Sequence, residues 1–452
     1  MSRTSQKRAV SVAVPITGRV AFNRQGHSFV TNNGVSVAHI PNRLTKGLLS
    51  GDQINTTSTV GQCDHRSKQG VSQLLPQVRA VNVVERPLRS VWGQVEDQQL
   101  KIGAPAGNAT LSIVNPEHVR QRQTWGIAHN GTVVTQPTPH DTTSSISAQL
   151  LATYGYWPVL PPIQTGIEGR VVGCRPVVEA VALDSFSDSV AEDAITICET
   201  SGLVTVWVVD VPSVVSKDSF PEQAARSVGE ACYTPGAVAP IFDISVAKHT
   251  GFSLYQPKPA VGVSFLVERC GKIVPVGVVR SNVVLVNKHT FETGLPQLVS
   301  FATAKQVVKR LEQRWEPSTG SIGLTSADTY GLFMRSANIA ATILVSETQF
   351  PLIYRRVVDT PHNGQGPRQV GAYVAEPTLR PDLDVFAYAR FTSPLRRYAD
   401  FVNLRSLRQL GTGCDRDADS SVFPDPEFLN SRSADARALA TQLHKQAGRS
   451  QH

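Results

Sequence analysis

The stretch that decides the fold is Phe386–Arg405, F-A-Y-A-R-F-T-S-P-L-R-R-Y-A-D-F-V-N-L-R. Thr392-Ser393-Pro394 reads as a helix start. A hydroxyl there can cap the first free N–H groups, and proline suits the first helical position because its missing donor would be unpaired anyway. Leu395, Tyr398, Phe401 and Val402 then form an apolar stripe at helical spacing. Arg396 and Arg397 fall in the first turn, where positive charge opposes the helix dipole. The opposition resolves if an anion such as a phosphate docks where exposed N–H groups and two guanidinium forks converge. Tyr388, Phe391 and Tyr398 flank this point as rings able to stack on bases. A plain buried helix whose arginines pair with carboxylates accounts for the same residues.

Outward from the motif, the composition sets the frame. The chain has 452 residues, enough for roughly two to four domains. Hydrophobic content is ordinary at 41%, and no run of about 18 apolar residues is present, so no membrane partner is expected. The cysteines at 63, 174, 198, 232, 270 and 414 are widely spaced with no C-x-x-C. That pattern speaks against a disulfide scaffold or zinc knuckle and for a reducing, intracellular compartment, cytoplasmic or organellar. The net charge of +8 points to a polyanionic partner. Its distribution is uneven: Arg3, Lys7, Arg8, Arg19, Arg24, Arg43 and Lys46 all precede the first acid, Asp52. Residues 1–15 fit either an organellar transit peptide or a basic tail near nucleic acid.

Residues 16–84 read as short strands broken by Gly and Asn, with alternation around Val20, Phe22, Phe29 and Val30, and so as a small antiparallel barrel. Residues 85–140 read as a second barrel, through S-V-W-G-Q-V-E-D, L-S-I-V-N-P and N-G-T-V-V-T-Q. A polar Thr/Ser/Pro stretch at 135–147 marks a linker extending over 141–164, with a short helix at Ala148–Tyr154 and a Pro-rich passage at Trp157–Pro162. Residues 413–452 read as a polar loop and a terminal helix, Ser433–Gln446.

F-T-S-P-L-R-R-Y-A-D resembles the signature of the ribonuclease II / ribonuclease R family, whose catalytic core is the RNB domain. From about 165 to 412 the rest of the chain is similar to that domain in the same order. Val204–Val215 resembles the family's V-H-I-A-D-V-S strand, with Trp207 in place of histidine. A-A-R-S-V-G-E-A-C-Y-T-P-G, within Glu222–Ala239, resembles the segment ending in Y-L-P. Val278–Asn287 resembles the I-R-S strand, and Gly331–Ala341 (G-L-F-M-R-S-A-N-I-A-A) the E-E-f-M-x-x-A-N helix. The resemblance implies an α+β chain: N-terminal cold-shock-type OB β-barrels, then a mixed α/β RNB domain, with no C-terminal S1 domain. It places Phe22, His27 and Phe29 on the stacking face of the first barrel, although Phe22 and Phe29 could equally be core.

The resemblance also implies a two-Mg²⁺ phosphodiesterase site. Two hard cations a few ångströms apart need several carboxylates on one loop. The family uses four aspartates, the last three at offsets of six, eight and nine from the first. Here the passage is V-E-A-V-A-L-D-S-F-S-D-S-V-A-E-D-A-I-T-I. Asp184 and Asp193 match the first and last, Glu192 stands at offset eight, and Val190 stands at offset six. Asp188 comes two residues early and could ligate only if the loop rearranges. Other departures are Gly331 and Leu332 for glutamates, Asn287 for tyrosine, and Leu404 and Val358 for histidines. Tyr233 and Arg396 match positions the family uses to hold RNA and assist cleavage.

Two main readings follow. In one, the protein binds single-stranded RNA, within a ribonucleoprotein or RNA-processing complex, through Tyr233, Phe391, Arg397, Tyr398 and the first barrel, and has lost turnover. In the other it is an active metal-dependent 3′→5′ exoribonuclease releasing nucleoside 5′-monophosphates. There Asp184, Glu192 and Asp193 hold Mg²⁺, and Arg396 stabilises the phosphate charge. A third reading is a globular protein that does not touch RNA.

Overall fold

A computed structural model describes residues 13–449, apart from 137–148, 150, 153–155, 157–174, 185–189, 291–297, 316–324, 411–423 and scattered stretches of one to five residues. The chain divides into two units. One comprises Met1–Val159, Cys232–Ala239 and Asn430–His452, the other Leu160–Ala231 and Pro240–Leu429. Among the described residues no helix is long and apolar enough to cross a membrane.

The first unit holds two barrels. β1 (Ala13–Phe22), β2 (Ser28–Asn32), β3 (Val35–Ile40), β5 (Gln53–Arg66) and β6 (Ser72–Glu85) close in the order β1-β2-β3-β6-β5. Alternation places Val20, Phe22, Val30, Ala38, Ile40, Ile54 and Val78 inside. Phe22 is therefore core, not a stacking ring. Phe29 points outward and meets the ring of His39 edge-to-face across the β2–β3 pair, centroids 5.7 Å apart. His27 is part-buried, its N–H bonded to Asn23 Oδ1 at 2.9 Å. In the second sheet, β4 (Leu48–Leu49) and β7 (Arg89–Glu96) to β11 (Thr132–Gln136) run in the order β11-β10-β7-β8-β9-β4, and a β9–β11 pair closes it. Here β8 is Gln99–Ile102, β9 Gly107–Ile113 and β10 Gln123–His129. β9 alternates buried and exposed along its whole length, as a strand with one face on a core must.

The second unit is built on a further closed barrel, β12 (Val177–Asp184), β13 (Asp193–Ile197), β14 (Val204–Val209), β17 (Lys258–Val267) and β18 (Ile273–Thr290), in the order β12-β13-β14-β17-β18. Every residue of β14 is buried, so this run of valines reads as a continuous apolar strand rather than an alternating one. Trp207, where the sequence comparison expects histidine, lies over Gly262. A Cβ there would sit 2.6 Å from the indole, so only glycine fits opposite it.

The strand β15 (Cys232–Thr234) pairs with β16 (Ala237–Ala239), and Tyr233 on it is exposed. The helices are α1 (Phe220–Val228), α2 (Ile244–Thr250), α3 (Ala302–Trp315), α4 (Ser326–Ser346), α5 (Tyr398–Leu410) and α6 (Pro426–Arg449). α4 starts with a capping box between Thr325 and Asp328, and its Phe333, Ala337 and Ala340 join the barrel valines in one core. Leu332 and Leu404 belong to the same core, which explains why apolar residues stand there. The hairpin β19 (Tyr354–His362) and β20 (Gln365–Val374) completes the unit. The linker helix and Pro-rich passage expected at 148–162 fall mostly outside the described residues. The terminal helix begins at Pro426, earlier than the expected Ser433.

Candidate functional site

The helix expected from Thr392 begins only at Tyr398. The delay has a long-range cause. Arg397 bridges Glu230, Ala231 N–H bonds Arg396 O at 2.8 Å, and Tyr398 N–H bonds Gly229 O at 2.8 Å. Arg397 is thus held in a single bridge, just before α5, by the chain leaving α1. Gly229 has φ 76°, a positive-φ backbone that glycine tolerates best. The segment 393–397 is a turn in which Ser393 O accepts from the N–H of Arg397 at 3.0 Å.

In consequence the two arginines do not converge. Arg397 is buried and turned onto Asp400, Nε to Oδ1 at 2.9 Å and Nη2 to Oδ2 at 2.7 Å. Asp400 also accepts the Ser393 N–H at 3.1 Å. Burial works against both charges, but each outweighs it for the other. The carboxyl of Asp400 lies below the usual carboxylate range, and the guanidinium of Arg397 holds its proton more firmly than usual. Arg396 stays half-exposed, 44% at its side chain. Its Nε donates to Glu192 Oε1 at 2.7 Å and its Nη2 to Ser393 Oγ at 2.8 Å.

Phe391, Tyr388 and Tyr398 are buried, which removes them as stacking surfaces. Tyr398 gives its hydroxyl to Glu222 at 3.0 Å, a carboxylate that also takes Arg405 at 2.8 Å. Burial, then the Glu222 charge, pushes that phenol up. Tyr388 meets Asn338, whose amide also holds Thr392 Oγ1 and, through Oδ1, the Phe391 N–H at 2.9 Å. Asn403 takes the Ile353 N–H at 2.7 Å and gives its amide to Ile353 O and Arg390 O. These two buried amides fix the motif's backbone. A sequence search for titratable residues passes over them.

The acidic half is placed as follows. Asp184 ends β12, its backbone opposite Thr290, and Asp188 lies outside the described residues. Asp193 opens β13 and accepts the hydroxyl of Tyr330, a contact from α4 that no local spacing could reveal. Glu192 precedes it. Besides Arg396 it accepts the Leu395 N–H at 3.0 Å. Burial raises its carboxyl above the ordinary value despite Arg396. Val190 packs its γ-carbon on Gly251, leaving no room for a Cβ there. Among the described residues no three His, Cys, Asp or Glu gather as a metal-holding group. The described donors do not by themselves fit two Mg²⁺ ions: Glu192 is committed to Arg396 and a backbone N–H, Asp193 to a phenol, and residue 190 is a packed valine.

No model of a known protein family matches this sequence, and no curated protein matches it. Solved structures do match its fold. RNase R of Mycoplasma genitalium, in complex with ribose-methylated single-stranded RNA, is 13% identical, covers 95% of this chain and 85% of its own, and superposes with a TM-score of 0.62. Yeast Ssd1, described as a pseudonuclease, is 13% identical with a TM-score of 0.60, covering 96% of this chain and 73% of its own. The M. genitalium enzyme with double-stranded RNA gives 14% and 0.56, with 89% of each chain covered. The chain has the RNB fold with accompanying OB-like barrels.

Proposed function

We propose that this protein binds single-stranded RNA on an RNB fold and does not hydrolyse it. The observation that carries the proposal is the Glu192–Arg396 pair. At offset eight of the acidic passage, a carboxylate one methylene longer than aspartate reaches the arginine that would otherwise face a phosphate, and also takes the Leu395 N–H. Charge at that point is cancelled within the protein rather than by metal and substrate. Val190 removes a second carboxylate. The basic total of +8 and the half-exposed Arg396 leave the electrostatics of a phosphate binder. The solved neighbours include both an RNA-bound RNase R and a pseudonuclease, which fits this reading.

The test is incubation of the purified protein with 3′- and 5′-labelled oligoribonucleotides in Mg²⁺ or Mn²⁺, beside Asp193→Asn. Expected are intact RNA and salt-sensitive binding that weakens in Arg396→Gln. Metal-dependent release of mononucleotides, lost in Asp193→Asn, would establish the exoribonuclease instead.

A further inference from the structure

Around the F-T-S-P-L-R-R turn, cations outnumber anions. Glu192 is engaged by Arg396 and Asp400 by Arg397. Arg390 and Arg355 sit on backbone joined to this turn: Arg355 N–H bonds Tyr388 O at 2.7 Å, and Tyr354 bridges Ala389. Arg390 immediately precedes the motif, and its Nε lies 4.0 Å from Asp400 Oδ1, beyond hydrogen-bond range. That Nε is buried and has no hydrogen-bond partner among the described residues. Arg355, on β19, lies over the ring of Tyr373, 4.5 Å from its centroid. Gly371 makes space for it, since a Cβ there would fall 3.0 Å from the guanidinium carbon. Arg390, Arg396 and Arg397 thus meet two carboxylates, and both carboxylates are hydrogen-bonded to the last two arginines. Burial first, then the neighbouring charges of Arg397 and Arg355, makes the Arg390 proton easier to lose than usual.

An orphaned buried donor and crowded like charges are both unfavourable. An anion with several oxygens cures both. Phosphate suits the planar forks of two arginines better than a single carboxylate does. Access exists: the Arg390 side chain is 22% exposed, and Arg355 is partly exposed. We propose that Arg355 and Arg390 form a phosphate site of their own, which in the RNA-bound protein takes a backbone phosphodiester neighbouring the one at Arg396. The RNA part of this assignment rests on the function proposed above; the phosphate part does not.

The test uses the full chain as wild type, Arg355→Gln, Arg390→Gln and Arg390→Lys. Binding of a fluorescein-labelled oligouridylate is followed by anisotropy between about 50 and about 200 mM salt. Thermal stability is measured with and without inorganic phosphate, and polyglutamate serves as a competitor. The Gln variants should bind RNA roughly tenfold more weakly. Their log K against log salt should be shallower by about 0.7 per lost contact. Arg390→Lys should keep the slope and lose affinity. Phosphate should raise the wild-type Tm and fail to raise that of the Gln variants, while unliganded Arg390→Gln melts no lower than wild type. A structural role alone would instead lower that unliganded Tm and leave the phosphate effect intact, which overturns the site. RNA binding that is normal in both Gln variants also overturns it and leaves the RNA reading standing. A phosphate effect lost in the variants, with no RNA binding by wild type, keeps the site and removes the RNA reading. Polyglutamate competing as well as RNA, with no phosphate effect, overturns the phosphate assignment in favour of an acidic protein partner.

Discussion

Asp400→Asn is the most informative single change, because so much of the motif ends on this carboxylate. It is fully buried, accepts two charged hydrogen bonds from Arg397 and one from the Ser393 N–H, and lies 4.0 Å from Arg390. Asparagine keeps the shape but removes the charge, and its amide group presents N–H donors to a site filled with donors. Breaking a buried ion pair from one side costs about 3–5 kcal/mol. That corresponds to roughly 150- to 5,000-fold in an opening equilibrium. Amide exchange of α5, read residue by residue, measures that opening directly. The pH sign follows from the depressed carboxyl. A group whose folded value is lowered contributes stability above its unfolded value, about 3.9 for aspartate, and loses it as pH falls through the folded value. The wild-type advantage should therefore be full near neutrality and shrink in acid. A mutant whose α5 protection stays within about 0.5 kcal/mol of wild type at neutral pH would refute the claim that this pair organises the turn. So would a difference that does not change with pH.

Glu192→Gln mimics the neutral form that burial favours, so at neutral pH it should be no less stable than wild type. Because a raised group contributes stability below its unfolded value and loses it as pH rises, the two proteins should converge toward pH 4 in thermal melts. The same change releases Arg396 and should tighten RNA binding several-fold in anisotropy titrations, by roughly 0.5–1 kcal/mol. Gly251→Ala would press on Val190 and on Ala247 O, which lies 2.6 Å from the new Cβ, costing about 1–3 kcal/mol in urea unfolding. Adding Val190→Ala should recover part of that loss if the two positions share one packing contact. Cys198 is exposed, and hydrogen bonds from Ser201 and then Thr200 bring its thiol down to about 6, whereas burial pushes Cys232 up to about 11. Iodoacetamide at pH 7 should therefore label Cys198 well before Cys232 by mass spectrometry, and Ser201→Ala should slow the labelling of Cys198.

The barrels and the RNB fold were legible because their signals are local. Alternation writes a strand, a valine run writes a buried one, and F-T-S-P-L-R-R-Y-A-D is contiguous. What sequence reading missed is decided by partners far along the chain. The segment before α5 looks helical by its own residues and is held as a turn by its contacts with Gly229–Ala231. Arg396 and Arg397 look equivalent, yet one ends on a residue 204 positions away and the other on its own i+3 neighbour. The aromatic rings were counted as stacking surfaces because composition cannot tell a ring that faces solvent from one that fills a core, and Phe22, Phe391 and Tyr398 fill cores. The acidic passage is the sharpest case. Read alone, Glu192 is a slightly long aspartate and a candidate ligand. Set beside Arg396, the added methylene lets one carboxylate meet both a guanidinium and a backbone N–H on the opposing turn. One carbon lets that carboxylate form an ion pair within the protein, and no count of acids at family spacing can register that difference.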